Sequence, residues 1–197
     1  MGLLRQSVRG GGSCFIKDAR SLSHQLQTAG TNATLVNETY LANKRQLELF
    51  IGRAETEAKL DWSGKTVALI GLSFKQDTND TRNSPSINIV NFLLEHKVKE
   101  VKLYDPVAMD MFKQIHPASI ELIYTSSEVE ALHGADVVII STDWPQFRNV
   151  ADLILLSANR PVLLMDGRRL LQHRYDELRQ AGANIIAVGS PFLPKKS

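Results

Sequence analysis

Short apolar segments alternate with amphipathic ones from residue 65 to the end of the chain. The clearest apolar segments, residues 65–71, 136–142 and 162–166, are rich in Val, Ile and Leu. Apolar strands that alternate with helices belong to parallel sheets, which helices cover on both faces. The sequence therefore predicts an α/β fold over residues 61–197, with a doubly wound parallel sheet.

The alternation gives six predicted strands and five predicted helices, and Trp62-Ser63-Gly64 marks the domain boundary before them. The predicted strands are residues 65–71, 101–104, 120–124 (edge-like), 136–142, 162–166 and 185–188. The predicted helices are residues 85–96, 107–114, 127–132, 150–156 and 170–181.

Residues 1–60 precede this domain and are predicted to be helical. A short helix over residues 18–28 ends at Ala29-Gly30, where glycine is a common stop signal. Asn32 then caps a second helix that runs from Ala33 to about Lys59 and spans about 40 Å. That length exceeds what one small domain can cover, so we expect a dimerisation helix. A helix that lies on the surface of its own chain is the alternative.

Cys14 is the only cysteine of the chain, and it follows Gly10-Gly11-Gly12 at the predicted start of a helix. Unpaired amides and the helix dipole at such a position favour a thiolate, and Lys17 adds positive charge nearby. Cys14 is therefore a candidate nucleophile. The alternative is an inert buried thiol.

Composition excludes several classes of function. The net charge is +2, with 23 Lys and Arg interspersed among 21 Asp and Glu, so no basic stripe favours nucleic acid. The longest apolar runs are strand-length, which excludes a membrane span, and no signal peptide is evident. A single cysteine fits a reducing compartment, so we expect a cytoplasmic protein. The five histidines lack metal-binding spacing, so no metal site is expected.

Two cations stand where strands of the predicted sheet end. Ligands of such sheets lie outside the carboxyl ends of the strands, where Lys75 and Arg168 are able to contact a phosphate. Alternatively, Lys75 and Arg82 are solvated loop charges that pair with Asp77 and Asp80. Two further alternatives stay open at this edge: Asp105 binds a ribose or caps the turn before Pro106, and Trp144 stacks on a base or packs internally.

Five sequence blocks resemble those of the NAD-dependent nucleotide-sugar dehydrogenases, the UDP-glucose/GDP-mannose dehydrogenase family, and occur in the family's order. The blocks are Gly11-Gly12-Ser13-Cys14-Phe15-Ile16-Lys17-Asp18, residues 71–85 (GLSFKQDTNDTRNSP), Tyr104-Asp105-Pro106, residues 141–147 (STDWPQF) and Asp166-Gly167-Arg168-Arg169. Two positions depart from the family's pattern, Arg9-Gly10 and Ile16.

The resemblance implies a reaction and a set of site residues. The reaction oxidises the C6 alcohol of a nucleotide sugar, UDP-glucose as first choice, to the carboxylate with NAD. Cys14, Asp18 and Lys17 are the implied catalytic residues, with Cys14 as nucleophile and Asp18 as base. The implied substrate contacts are Gly11, Phe15, Phe74, Lys75 and Arg168; the implied cofactor contacts are Lys17 and Arg82.

The dinucleotide fingerprint Gly-x-Gly-x-x-Gly after a strand is missing from this sequence. We therefore expect the chain to be the C-terminal part of a larger enzyme: residues 1–60 as the end of a central helical domain, residues 61–197 as a UDP-binding domain, and no NAD-binding domain. Alone it is expected to bind a uridine nucleotide without turnover. The alternatives are a non-catalytic UDP-sugar-binding or dimerisation module, and a cysteine hydrolase.

Overall fold

The structure is a computed structural model that describes residues 13–157 and 162–196, with side chains from residue 17 onward. Its sheet has six parallel strands in the order β3-β2-β1-β4-β5-β6. The strands are β1 (Thr66–Ile70), β2 (Glu100–Tyr104), β3 (Leu122–Tyr124), β4 (Val137–Ile140), β5 (Leu163–Asp166) and β6 (Asn184–Ala187). The predicted doubly wound α/β fold is confirmed.

Seven α-helices accompany the sheet within the described residues: α1 (Ser13–Thr28), α2 (Thr34–Thr56), α3 (Pro85–Glu95), α4 (Met109–Lys113), α5 (Glu128–Leu132), α6 (Val150–Leu156) and α7 (Tyr175–Gln180). The helix α1 ends before Gly30, as predicted, and Gly30 has a φ of +69°. The Asn32 side chain accepts a hydrogen bond from the Thr34 amide at 2.7 Å, and α2 ends three residues before the predicted Lys59.

The predicted helix over residues 170–181 is wrong in its first half. Residues Gln172–Arg174 form a 3₁₀ turn, and α7 begins only at Tyr175. The physical reason is the buried Asp166 carboxylate, which accepts hydrogen bonds from the amides of Leu170 and Leu171. Those amides hold the chain in a turn below the strand end, and Arg169 adopts a φ of +52° within it.

Two hydrophobic cores lie on opposite faces of the sheet. One face packs against α2, α3 and α4, and its core includes the buried Phe112 and Trp62. The other face packs against α5, α6 and α7 and includes Phe147 and Tyr175. Strands buried on both faces need apolar side chains throughout, which is why β1, β4 and β5 have such uniform sequences.

The second half of α2 belongs to the first of these cores. Leu47, Phe50, Ile51 and Ala54 are buried there. Arg53 fixes the helix to the last strand, because its guanidinium donates to the carbonyl oxygens of Ala187 and Ser190 at 2.8 and 2.9 Å. The helix that ends the predicted 1–60 domain thus supplies part of the core of the 61–197 domain.

The first half of α2 packs instead against α1. The Ser23 hydroxyl donates to Asn37 Oδ1 at 2.6 Å across this helical hairpin. Several apolar side chains of the pair remain exposed: Leu22, Leu35, Leu41 and Leu49. Within residues 13–157 and 162–196, no helix has the length and apolar character needed to cross a bilayer.

Candidate functional site

The site lies where β1 and β4 run side by side, because the chain leaves these neighbours toward opposite halves of the sheet. This is the position at which doubly wound sheets bind their ligands. The loops after the two strands are in direct contact. The Thr142 hydroxyl donates to the Ser73 carbonyl oxygen at 2.7 Å, and the hydroxyls of Ser86 and Ser141 share a hydrogen bond of 2.9 Å.

Gly71 makes this close approach possible. Its φ is +88°, and a Cβ at this position would lie 2.5 Å from Thr142 Cβ and 2.6 Å from the Thr142 amide nitrogen. Its amide donates to the Tyr104 carbonyl oxygen, and its own carbonyl accepts from the Ser86 hydroxyl. Only glycine fits here without displacing the loop after β4.

Asp105, at the end of β2, joins three of the loops. One carboxylate oxygen accepts from the amides of Leu72 and Ser73, the Ser73 hydroxyl and the Trp144 indole nitrogen at 2.8–3.2 Å. The other accepts from the amides of Val107 and Ala108. Asp105 is 1% exposed. The turn-capping alternative is therefore confirmed, and a ribose finds no accessible carboxylate here.

Trp144 packs internally. It is 8% exposed and belongs to the second core, beside Phe147. Its indole nitrogen is hydrogen bonded to Asp105. The packing alternative is the one that the structure favours, because little of the ring is left for a base.

Phe74 and Lys75 lie on the irregular loop of residues 71–84, which follows β1. The Phe74 amide donates to the Asp80 carbonyl oxygen at 3.1 Å, so the loop is closed on itself. The ring of Phe74 is half-buried and Lys75 is exposed. The ammonium nitrogen of Lys75 lies 5.4 Å from the centre of the ring, at cation–π distance. Lys75 is thus a solvent-facing charge that its neighbour orients.

Arg82 forms an ion pair with Asp80 instead of extending freely. Its Nη2 lies 2.7 Å from the Asp80 carboxylate, and Nε completes a two-pronged contact at 3.0 Å. The Arg82 guanidinium holds the pKa of the Asp80 carboxyl below its usual value. The Arg82 side chain is 70% exposed, so the pairing alternative describes Arg82 correctly, whereas no ion pair joins Lys75 to Asp77 among the described residues.

Arg168 is also paired. Its Nη2 donates to Asp143 Oδ1 at 2.7 Å, and the two side chains are only 12% and 11% exposed. Arg168 Nε is buried and has no acceptor among the described residues. Such an unsatisfied donor costs about 1–3 kcal/mol, which indicates that the guanidinium is held in its orientation by its surroundings.

Asp166 shapes the turn that carries Arg168. Its fully buried carboxylate accepts from the Arg168 and Leu170 amides at 3.1 Å and from the Tyr175 hydroxyl at 2.9 Å. Burial and the nearby Asp166 charge raise the pKa of Tyr175, so this hydroxyl stays a proton donor. The Asp-Gly-Arg turn is therefore fixed before any ligand binds.

The residues of the glycine–cysteine loop are described only in part. Gly11 lies outside the described residues, and for Cys14 and Phe15 only the backbone is described, in the first turn of α1. Cys14 is thus the second residue of a helix, as predicted. The Lys17 ammonium nitrogen lies 3.4 Å from Asp18 Oδ1, and the two side chains are 74% and 68% exposed. Within the described part of the chain, no hydrogen bond or ion pair joins them to the strand ends.

The strand ends do not fit a dinucleotide. A single glycine follows β1, and the loop to α3 is long. At the start of α3 the Ser84 hydroxyl oxygen accepts from the Ser86 amide, so this amide is not available to a phosphate. Asp105, at the position of a ribose-binding acid, is fully hydrogen bonded. In the same residues, 13–157 and 162–196, no group of three His, Cys, Asp or Glu side chains is placed to hold a metal ion.

Sequence reasoning placed Thr142 and Asp143 at this edge of the sheet but assigned no role to either of them. The signal for that placement is that both follow the apolar strand β4, where ligand loops start. Asp143 contacts Arg168, which is 25 residues away in the sequence, and Thr142 contacts Gly71, which is 71 residues away. Sequence spacing does not predict contacts between residues so far apart.

Comparisons with known proteins agree with this fold. Residues 68–173 match the profile described as the UDP-glucose/GDP-mannose dehydrogenase family, UDP binding domain. A UDP-glucose 6-dehydrogenase of Pseudomonas aeruginosa is 36% identical over 182 residues, which cover 91% of this chain and 39% of that protein. One of Bacillus subtilis is 31% identical over 186 residues, 94% of this chain and 41% of that protein.

A solved structure resembles the whole described fold. It is a UDP-glucose dehydrogenase from the hyperthermophilic archaeon Pyrobaculum islandicum, with a TM-score of 0.69 and 24% identity over 93% of this chain and 38% of that chain. At 24% sequence identity, this structural similarity shows that the two proteins share a fold and shows nothing about function. The chain spans about two fifths of the length of the curated relatives it matches.

Proposed function

Because the chain belongs to the UDP-glucose/GDP-mannose dehydrogenase family, whose UDP binding domain it matches over residues 68–173, we propose that it binds a UDP-sugar at the carboxyl ends of β1, β4 and β5. In this proposal the chain is one part of an oxidoreductase that converts UDP-glucose, or a related nucleotide sugar, to the uronic acid. Its curated relatives are UDP-glucose 6-dehydrogenases.

The observation that carries the proposal is the exposed Lys75 on a loop that is already fixed. Asp105 anchors the start of this loop through Leu72 and Ser73, and the Asp80–Arg82 pair closes its far side. A cation held in this way contacts a phosphate with little loss of conformational entropy. Phe74 and Arg168 complete the proposed substrate contacts, together with Gly11 and Phe15 from the glycine–cysteine loop.

The proposed chemistry centres on Cys14. Oxidation of the C6 alcohol gives an aldehyde, to which the Cys14 thiolate adds as a thiohemiacetal. A second oxidation gives a thioester, and water hydrolyses it with Asp18 as base or water-orienting group. The first turn of α1 supports this role, since amides at a helix N-terminus stabilise a thiolate.

Both oxidations require a hydride acceptor, for which the family resemblance favours NAD. The hydrogen bonding of Asp105 and Ser84 supports placing the cofactor outside the strand ends of this domain. Contacts of Lys17 and Arg82 with the cofactor remain predictions, and so does the inactivity of the chain alone.

Calorimetric titration with UDP and UDP-glucose tests the binding proposal. Lys75→Ala should weaken UDP binding about tenfold or more, because a charge-assisted hydrogen bond contributes about 1.5–3 kcal/mol. The matched control is Lys99→Ala, an exposed lysine that precedes β2 at the opposite end of the sheet. Equal losses in both variants, or no binding by the unaltered chain at millimolar UDP, would contradict the proposal.

Two activity measurements test the catalytic part. The chain alone, with UDP-glucose and NAD, should give no NADH absorbance; NADH formation would contradict the description of the chain as one part of the enzyme. In the complete enzyme, Cys14→Ser should stop acid formation after the first oxidation and leave substrate binding nearly intact, with Ser13→Ala as control. Full acid formation by Cys14→Ser would contradict the assignment of Cys14 as the nucleophile.

We also propose that α2 mediates a homodimer. The helix is about 35 Å long, and its buried side chains all lie in the second half. Leu35 and Leu41 are exposed in its first half, at 82% and 41%. In sedimentation at micromolar concentration the chain should be a dimer, and Leu35→Glu should dissociate it. The control is Val129→Glu, which changes an exposed apolar side chain of α5. A monomeric unaltered chain would count against the dimer.

A further inference from the structure

The ends of β4 and β5 have no net charge, although they contain two arginines. Arg168 is paired with Asp143, the two side chains being nearly buried. Asp166 lies below the same turn, and Arg169 is the next residue along the chain. Two carboxylates and two guanidinium groups therefore balance each other at these strand ends.

Lys75, on the neighbouring β1 loop, differs from Arg168 in charge balance. It is exposed, and among residues 13–157 and 162–196 its side chain contacts the ring of Phe74. A phosphate beside Lys75 meets an uncompensated positive charge. A phosphate beside Arg168 would also approach the Asp143 carboxylate, and like charges at short range repel strongly in a poorly hydrated site.

We infer that Asp143 determines the specificity of the Arg168 subsite: it neutralises and orients the guanidinium, so that Arg168 donates to an uncharged oxygen of the ligand while Lys75 receives the phosphates. The uncharged oxygen is a carbonyl or hydroxyl of the uracil, ribose or hexose. Asp143 acts through Arg168 and is a positioning residue. This inference rests on the proposed function, in which a nucleotide sugar binds at this edge of the sheet.

Asp143→Asn tests the charge balance. Dissociation constants for uridine, UMP, UDP and UDP-glucose are measured on the variant and on the unaltered chain. Without the Asp143 charge, Arg168 attracts phosphate, so the UDP-to-uridine affinity ratio should rise about fivefold or more at low salt and decline as salt is added. Glu121→Gln, the same change at the amino end of β3, should leave the ratio unaltered. An unchanged or lower ratio in Asp143→Asn would overturn the inference.

The double variant Asp143→Asn with Arg168→Gln identifies the ligand group. It removes both charges of the pair together, so neither is left nearly buried without the other and folding should be retained, as urea unfolding checks. If the contact is with the base or ribose, affinity should decrease by the same factor for uridine, UMP and UDP. If it is with the hexose, only UDP-glucose should bind more weakly. Both results support the inference.

If the double variant binds uridine normally but binds UMP or UDP more weakly, Arg168 is a phosphate ligand. That result would leave the proposed function standing and overturn the inference. Unchanged affinity for all four ligands would overturn it too, because Arg168 would then contact none of them. Failure of the unaltered chain to bind any uridine ligand would overturn the proposed function, and the inference with it.

Discussion

Two buried aspartates organise the carboxyl edge of the sheet, residue by residue. Asp105 joins the loops after β1, β2 and β4, and Asp166 holds the turn that carries Arg168. Each carboxylate uses its acceptor capacity on amides, hydroxyls or an indole of the same edge. Loops held in this way are ordered before a ligand arrives, so binding does not have to supply their ordering entropy.

Asp105→Asn should therefore loosen three loops at once. The amide nitrogen of Asn would face donors such as the Ser73 amide, so we expect the free energy of unfolding to fall by about 3 kcal/mol or more. Urea unfolding measures it, and tryptophan emission should change because Trp144 loses its indole hydrogen bond. Asp110→Asn, with a side chain 96% exposed, is the control. Equal stability in the two variants would show that Asp105 is not an essential connection.

Gly71→Ala tests the close approach of β1 and β4. The added methyl group would clash with Thr142, and φ of +88° strains any other residue, so a loss of about 2–5 kcal/mol in unfolding free energy is expected. Gly64 has a φ of +71° with no atom within 4 Å of an added Cβ. Gly64→Ala should cost about 1–2 kcal/mol, from backbone strain alone. Equal losses of unfolding free energy in Gly71→Ala and Gly64→Ala would contradict the prediction.

The partners of the site residues were harder to predict than the residues themselves. Lys75 and Arg168 could be placed at the carboxyl edge of the sheet because they follow apolar strands. The pairing of Arg168 with Asp143 could not be predicted, because it depends on how two neighbouring strands place their turns. Arg82 was ambiguous for a related reason: a two-residue spacing to Asp80 permits a pair without requiring it.

Among the elements, α2 combines two environments along one helix. Its second half is a layer of the α/β domain, fixed by the Arg53 hydrogen bonds, and its first half is paired only with α1 in the described residues. The sequence predicted the helix from its three- and four-residue apolar spacing. Spacing alone could not show that burial is confined to Leu47 and the residues after it, because the apolar positions continue along the whole helix.

Leu47→Ala and Leu49→Ala compare the buried and the exposed side of the second half of α2 within one turn. Leu47 is 3% exposed and Leu49 is 67% exposed. Leu47→Ala should lower the free energy of unfolding by about 2–5 kcal/mol, through lost burial and the cavity it leaves. Leu49→Ala should change it by less than about 0.5 kcal/mol. Equal effects of the two substitutions in urea unfolding would mean that α2 does not pack on the sheet as described.

At the scale of the whole molecule, the alternation of apolar and amphipathic segments was sufficient to predict the sheet. Six parallel strands, covered on both faces, follow from that pattern and from the right-handed crossovers that parallel strands require. Element ends differ from prediction where a side chain competes for backbone amides, as Asp166 does before α7. The function does not follow from the fold alone, since such sheets have many functions; the proposed function rests on the family match and on the candidate residues at the strand ends.

The central claim is that a uridine nucleotide binds at the carboxyl ends of β1, β4 and β5. Amide chemical shifts of the isotope-labelled chain, followed during titration with UDP, test it most directly. We expect saturable changes in residues 71–84, 141–144 and 166–169, reduced in Lys75→Ala but not in Lys99→Ala. The same changes centred on the groove of about 520 Å³ between α2 and α3, around Lys44 and Asn91, or at the amino ends of the strands, would contradict the claim.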